Sequence, residues 1–336
     1  MLARLNHYRR PSTLRSGLEL ALTAVPLLLL WVLAWVLVRH GQWWGMLFTL
    51  PAGGFLLRLF IVQHDCGHGS FFPDKRLNDW LGRAIGVFTL TPYDHWKRTH
   101  AIHHATSGDL DRRGIGDVLT LTVDEYLALP RWRRLAYRLV RHPAVMFGLG
   151  PAFLFLLCQR LPVGEMRQGW RPWVSTMGTN LAIALVVIGT VWLGGLRALL
   201  LVNLPIVLLA ASIGVWLFYV QHQFEGVVWA RSSGPRDPGE RNSGWNLRRA
   251  ALHGSSHYHL PGVLRWFTGN IGAHHVHHLS SRIPFYRLPQ VLRDNPELDA
   301  DRMTLVQSFR CVGLSLWDEV GQKLISFRDL RDRFRA

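Results

Sequence analysis

Nine histidines of this chain fall into three short runs, His64-Asp65-Cys66-Gly67-His68, His100-Ala101-Ile102-His103-His104 and His274-His275-Val276-His277-His278, and eight of them, all but His275, fit the spacing His-x-x-x-His or His-x-x-His-His. Residues three or four apart share one face of a helix, so each run can aim two or three imidazoles at a single point. Neutral imidazole is a ligand for zinc, copper, iron and nickel. A structural zinc takes four ligands, usually with cysteine among them, whereas eight imidazoles suit two metal ions side by side. The three cysteines, Cys66, Cys158 and Cys311, are far apart and odd in number. Neither a disulfide framework nor a cysteine-based zinc site follows from them, and they read as buried reduced thiols.

The elements that must position these runs are apolar. Hydrophobic residues make up 49% of the 336, charged residues 18%, and 15 tryptophans are available for belts at a membrane surface. A span needs about 20 apolar residues. Leu20 to Val38 qualifies, and Arg39-His40 follows it in place of a small-residue cleavage site, so it reads as a retained span. Trp43 to Val62 qualifies, with Arg58 near the inner end and placed to snorkel. Leu181 to Val220 is long enough for two spans and is broken by Gly194-Gly195-Leu196-Arg197, which predicts a transmembrane hairpin. Pro26, Pro51 and Pro205 inside these runs are tolerable kinks in lipid. Pro143 to Cys158 has Gly148, Gly150 and Pro151 at its centre and arginines on both flanks, from Arg131 to Arg141 and from Arg160 to Arg171. Positive residues favour the cytoplasmic side, so both its ends stay inside and it reads as an interfacial or re-entrant segment.

Parity supports that choice. With two spans between them, the second and third runs share a face; a third crossing at 143–158 would separate them. Four spans, at about 20–38, 43–62, 177–196 and 198–220, leave Arg39 and Arg197 in outer loops, Arg58 in a span and the other 35 of the 38 basic residues inside. The net charge of +16 then follows from the positive-inside rule, although an acidic partner or anionic lipid would also suit it. No nucleic-acid motif is present. The fold expected is an all-α integral membrane protein in one domain over 1–336. Four transmembrane helices carry a large cytoplasmic helical cap, from segments 63–175 and 221–336, that holds a histidine-rich di-metal site. Within the cap, Lys75 to Trp96 and the tail from Leu305 to Arg335 have helical spacing of apolar residues, and Arg231 to Gly244 reads as a polar loop.

A site where spans emerge is placed to meet a lipid chain, and oxygen chemistry at an unactivated C–H bond needs a redox metal, hence iron. No Glu-x-x-His pair points to a carboxylate di-iron bundle, and no His-Glu-x-x-His points to a metal-dependent hydrolase. A membrane metal transporter would place ionisable residues at the bilayer midplane, where these spans have almost none.

The three runs, in this order, resemble the histidine boxes of the membrane fatty-acid desaturases, most of all the bacterial acyl-lipid omega-6 (delta-12) desaturases. The likeness extends to Thr91-Pro92-Tyr93-Asp94, to Tyr219-Val220-Gln221-His222-Gln223 and to Ile283-Pro284-Phe285-Tyr286. It implies a non-haem di-iron centre that uses O2 and removes two hydrogens from an acyl chain, with water as co-product. Oleoyl to linoleoyl is the expected conversion; a lipid hydroxylase, a ketolase or a desaturase of another position would use the same boxes. Carried over residue by residue, the ligands are His64, His68, His100, His103, His104, His274, His277 and His278. A ninth histidine is expected just past the last span, where His222 stands; His257, in Ser256-His257-Tyr258-His259, is the competitor. Asp65 and Asp94 are candidates to orient ligand rings, while His253 and His275 are bystanders. With no redox module in the sequence, an external donor of the ferredoxin type is expected. The location implied is the inner (cytoplasmic) membrane, with the active site on its cytoplasmic face.

Overall fold

A computed structural model describes residues 2–233, 244–298 and 302–334. The chain is mostly helical. Helix α1 (Thr13–Arg39) starts on a Ser12 cap whose hydroxyl accepts the Arg15 amide at 3.3 Å. Its buried positions are Ser16, Glu19, Thr23, Leu27, Ala34 and Val38, spaced by three, four or seven, while Val25, Leu28 and Leu29 are exposed. A soluble helix buries its leucines; this one turns them outward and its polar face inward, as a lipid-facing helix does. A 3₁₀ turn (Trp43–Phe48) leads into α2 (Thr49–His68), which runs unbroken to the end of the first histidine run and is closed by Gly69 in the left-handed region (φ 65°).

Next come α3 (Lys75–Phe88) and α4 (Tyr93–Thr106). The continuous helix expected from Lys75 to Trp96 is thus two helices. Leu90 has φ 53° and Pro92 follows, and neither conformation continues a helix.

Among the described residues, three helical stretches are long and apolar enough to cross a membrane: Thr13–Arg39, Trp43–His68 and Arg171–His222. The third, of 52 residues, would be about 78 Å long if straight, against roughly 30 Å of hydrocarbon. It folds back instead. Gly195 breaks it with φ 73° and ψ 173°, giving α5 (Arg171–Ala198), a π turn (Leu199–Asn203) and α6 (Leu204–His222). Asn203 Nδ2 donates to Thr190 Oγ1 at 3.3 Å, although thirteen residues of straight helix would set the two residues about 20 Å apart. The turn lies beside the end of α1, where Arg39 Nη1 donates to the Leu193 carbonyl at 2.7 Å. The segment read as interfacial or re-entrant is a broken one: Arg131–Val140 and Val145–Arg160 meet at 61°.

Arg58 does not snorkel. It is 1% exposed, and its Nη2 lies 2.5 Å from Oε2 of Glu19, itself 2% exposed. Its Nε donates to Thr23 Oγ1 at 3.1 Å, Nη1 donates to the Trp266 carbonyl, and the guanidinium lies 3.9 Å from the Trp266 ring centre. A charge deep in an apolar stretch is kept by such a full set of partners.

The expectation of an all-α chain is corrected by two small sheets among the described residues. In one, β1 (Leu121–Thr122) runs parallel to β4 (Leu314–Asp318), which pairs antiparallel with β5 (Lys323–Ser326). In the other, β2 (His257–His259) pairs parallel with β3 (Arg302–Thr304). The tail therefore holds a hairpin where a helix was expected. Both faces of the hairpin are buried, Trp317 and Leu324 against Trp229 and Leu316 and Ile325 against Tyr137, which a helix with a single apolar stripe does not provide. Most of the polar loop Arg231 to Gly244 lies outside the described residues.

Candidate metal centre

Helix α4 ends with His100, His103 and His104, and helix α7 (His274–Leu279) begins at the third run. At 100° per residue, positions i and i+4 lie 40° apart, whereas i+3 and i+4 lie 100° apart. Each of these two helices therefore points its imidazoles in two directions, and the structure uses both. One ring nitrogen each from His64, His68, His100, His104 and His277 gather within 4.8 Å of one another; His103, His222, His274 and His278 form a second such group. Each run aims two imidazoles at one group, as spacing by four predicts, and His103 and His277 are the members that turn to the other. The second and third runs each divide between the two groups.

The contacts inside the groups are close. Nε2 of His100 lies 3.1 Å from Nε2 of His68 and 3.1 Å from that of His104, and His104 is 3.1 Å from His277. In the other group His222 Nε2 lies 3.2 Å from His103 and 3.0 Å from His274, and His278 is 3.1 Å from His274. A neutral ring nitrogen offers either one proton or one lone pair, so His100, His104, His222 and His274 cannot satisfy two such neighbours by hydrogen bonding. Lone pairs converging on a cation would. Burial pushes His100, His104, His274, His277 and His278 well below the usual histidine range, which keeps them neutral and able to ligate. Five nitrogens in one group exceed the four of a tetrahedral zinc. The residues of the two groups are compatible with two metal ions side by side.

His257 belongs to neither group. It lies in β2 and its ring packs 5.5 Å from that of His275. His275 turns away as well, its Nε2 2.6 Å from the Leu298 carbonyl. Of the two candidate orienting carboxylates, Asp65 sits beside the site. Its Oδ1 is 3.3 Å from His64 Nδ1, and its Oδ2 accepts the Phe285 amide at 2.7 Å. Asp94 does not: it is at the surface, in a two-pronged pair with Arg83 at 2.9 and 3.0 Å. A carboxylate the sequence did not single out, Asp117, is 2.5 Å from His103 Nδ1. Trp96 stacks on His100 with ring centres 4.7 Å apart, and a Cβ on Gly67 would come within 2.8 Å of Trp96, so the glycine of the first run makes room for that ring. The three cysteines are unpaired; Cys66 and Cys311 are buried and Cys158 half-buried.

A model of the family described as fatty acid desaturase matches residues 41–309. The chain belongs to the fatty acid desaturase family. These are oxidoreductases, and the two histidine groups are compatible with a di-metal site. The chain is 43% identical over 326 residues to the fatty acid desaturase of Bacillus subtilis (strain 168), covering 96% of this chain and 89% of that one. More distant relatives include the sn-1 acyl-lipid omega-3 desaturase (ferredoxin) of Synechocystis, 27% identical over 250 residues, 72% of this chain and 64% of that enzyme. An Arabidopsis thaliana acyl-lipid omega-3 desaturase (cytochrome b5) of the endoplasmic reticulum is 27% identical over 247 residues, 72% of this chain and 61% of that one. Membership of this family and the apolar helices together make this desaturase an integral membrane protein.

Proposed function

We propose that this desaturase converts an oleoyl chain of a membrane lipid to a linoleoyl chain, placing a delta-12 double bond with O2 and two external electrons. The observation that carries the reading is the convergence of nine imidazoles into two adjacent groups, where helices long enough to span a bilayer end. Two irons would be held by His64, His68, His100, His104 and His277 on one side and by His103, His222, His274 and His278 on the other. Bound there, iron supplies the oxidising power for an unactivated C–H bond. The balance is two hydrogens from adjacent carbons, two protons and two electrons, with O2 reduced to two waters.

The protein's own residues do the positioning. Helices α2 and α6 carry His64, His68 and His222 directly out of apolar stretches, so the nitrogens are fixed relative to the membrane by rigid elements. Burial of His64, His103, His222, His274 and His277 keeps water from competing for the metals. The topology we infer has four crossings, with α5 and α6 as a hairpin. It has the cap on the cytoplasmic face of the inner membrane and 143–158 entering the bilayer without crossing it. A ferredoxin-type donor fits a chain whose relatives are named for ferredoxin or cytochrome b5.

Expression in a host that makes oleate but no linoleate, followed by fatty-acid analysis, tests the reading. Linoleate is expected. A hydroxy- or keto-acid, or a double bond elsewhere, would overturn it; conversion only of added linoleate would give the omega-3 reaction after which several relatives are named.

A further inference from the structure

The two imidazole groups are unequal. One has five nitrogens and the other four, so an ion at the second is held by one neutral donor fewer. Neutral imidazoles bring no charge, and a buried divalent ion needs some close by. Among the described residues two carboxylates hydrogen-bond a histidine of these groups, one for each group. Asp65 serves His64 at 3.3 Å and divides itself with the Phe285 amide. Asp117 serves His103 at 2.5 Å. The remaining partners in the four-histidine group are uncharged. His222 Nδ1 lies 3.3 Å from the Gly254 carbonyl and 3.4 Å from the Ser107 hydroxyl, and His274 Nδ1 has no partner.

The loop that delivers Asp117 is shaped to reach His103. Gly116 has φ +72°, and a Cβ there would lie 3.1 Å from His103 Cβ and 3.1 Å from the Thr99 carbonyl. A glycine lets the loop lie flat on α4, and the next residue meets the ring. A histidine–carboxylate pair is not by itself a mark of a metal. On the same helix His95 Nδ1 is 2.8 Å from Glu165 Oε2, yet His95 belongs to neither group.

We propose that Asp117 is the positioning residue of the four-histidine metal. It holds the proton of His103 on Nδ1, leaves the Nε2 lone pair facing the ion, and draws on that proton so that His103 becomes a stronger donor. The two metals are thereby made unlike, and the ion short of one imidazole gains the shorter carboxylate bond. This rests on the di-iron reading above.

The test uses full-length protein loaded with iron in detergent, comparing wild type with Asp117→Asn, Asp117→Glu and Glu165→Gln. The readouts are iron per chain against a graded chelator and Mössbauer spectra. Asp117→Asn is expected to bind one of its two irons 10- to 100-fold more weakly, with one of two iron signals altered. Asp117→Glu should recover most of the difference, and Glu165→Gln should match wild type. Native affinity and unchanged signals in Asp117→Asn would overturn the proposal. So would simultaneous loss of both irons, or a glutamate no better than the asparagine. Wild-type protein that takes up no iron would sink the di-iron reading and the proposal with it, whereas two tightly held irons in both wild type and Asp117→Asn would sink the proposal alone.

Discussion

The Arg58–Glu19 pair gives the sharpest test of the physical reading, because its cost can be bracketed. Both residues are at most 2% exposed, so neither water nor a change of rotamer can replace a lost partner. Replacing Glu19 by Gln removes the charge 2.5 Å from Arg58 Nη2 and leaves the guanidinium with the Thr23 hydroxyl, the Trp266 carbonyl and two aromatic faces. Breaking one side of a buried pair costs about 3–5 kcal/mol; the Trp266 face is already in contact in the wild type and offsets none of this, so a loss of about 3–5 kcal/mol is expected. Arg15, also 2.6 Å from Glu19 but half-exposed, turns to water at little cost. Replacing both, Glu19→Leu with Arg58→Met, removes the desolvation of two charges together and should return stability to near wild type. Equilibrium unfolding in mixed detergent micelles measures all three. A single variant within 1 kcal/mol of wild type, or a double variant as unstable as the single, would refute the account of this pair as a desolvated ion pair.

Two more outcomes follow from the histidine groups. His222→Ala should lower iron from two per chain to about one, and His257→Ala should leave two, by elemental analysis of purified protein; the reverse pattern would move the ninth ligand to β2. Metal-free protein should lose stability as pH falls. His100, His104, His274, His277 and His278 have depressed folded values, so below about pH 6.5 the unfolded chain takes up protons that the folded one refuses. Stability is therefore full above that pH and falls below it, by about 1.4 kcal/mol per pH unit for each such proton. Thermal unfolding of metal-free protein between pH 7.5 and 5.5 reads the slope, which should flatten when two of these histidines become Gln; a midpoint indifferent to pH would refute it.

What the sequence made legible was whatever depends on local period. Apolar runs located the long helices, and the Gly194-Gly195 interruption located the reversal at Gly195, because a break in a helix is written in its own residues. Spacing by three and four placed the histidines on helices. It did not divide them between two groups, since that requires knowing what faces each helix from the other side. Asp117 stayed hidden for the same reason: it lies in a Gly-rich loop with no periodic signal, and its partner is in α4. Asp94 was the opposite case, near a ligand in sequence and at the surface in space. Arg58 was misread because a lone charge in an apolar run looks bound for water until Glu19, which lies just outside the span as first drawn, is seen to face it. The tail was misread because a short buried hairpin and an amphipathic helix differ little in composition.

The division of the runs assigns different tasks to the membrane helices and the cap. Helix α2 feeds the five-histidine group alone, through His64 and His68, and α6 feeds the four-histidine group alone, through His222. These two helices are neighbours: a Cβ on Gly53 of α2 would lie 2.8 Å from Leu209 of α6, so the glycine sets how closely they approach. The long apolar helices thus fix where the site sits relative to the bilayer. Helices α4 and α7 feed both groups, through His103 beside His104 and His277 beside His278. Adjacent residues on one helix are 3.8 Å apart at Cα and 100° apart in direction, a separation that helix geometry fixes and packing barely alters. The distance between the two groups is therefore written into two pairs of neighbouring residues, twice over and from opposite sides. A shift of a whole helix would move both half-sites together and preserve their spacing. On the di-metal reading proposed above, this spacing is what the chemistry must hold constant, and it is entrusted to covalent neighbours, while the placement of the site against the acyl chain is left to the packing of spans.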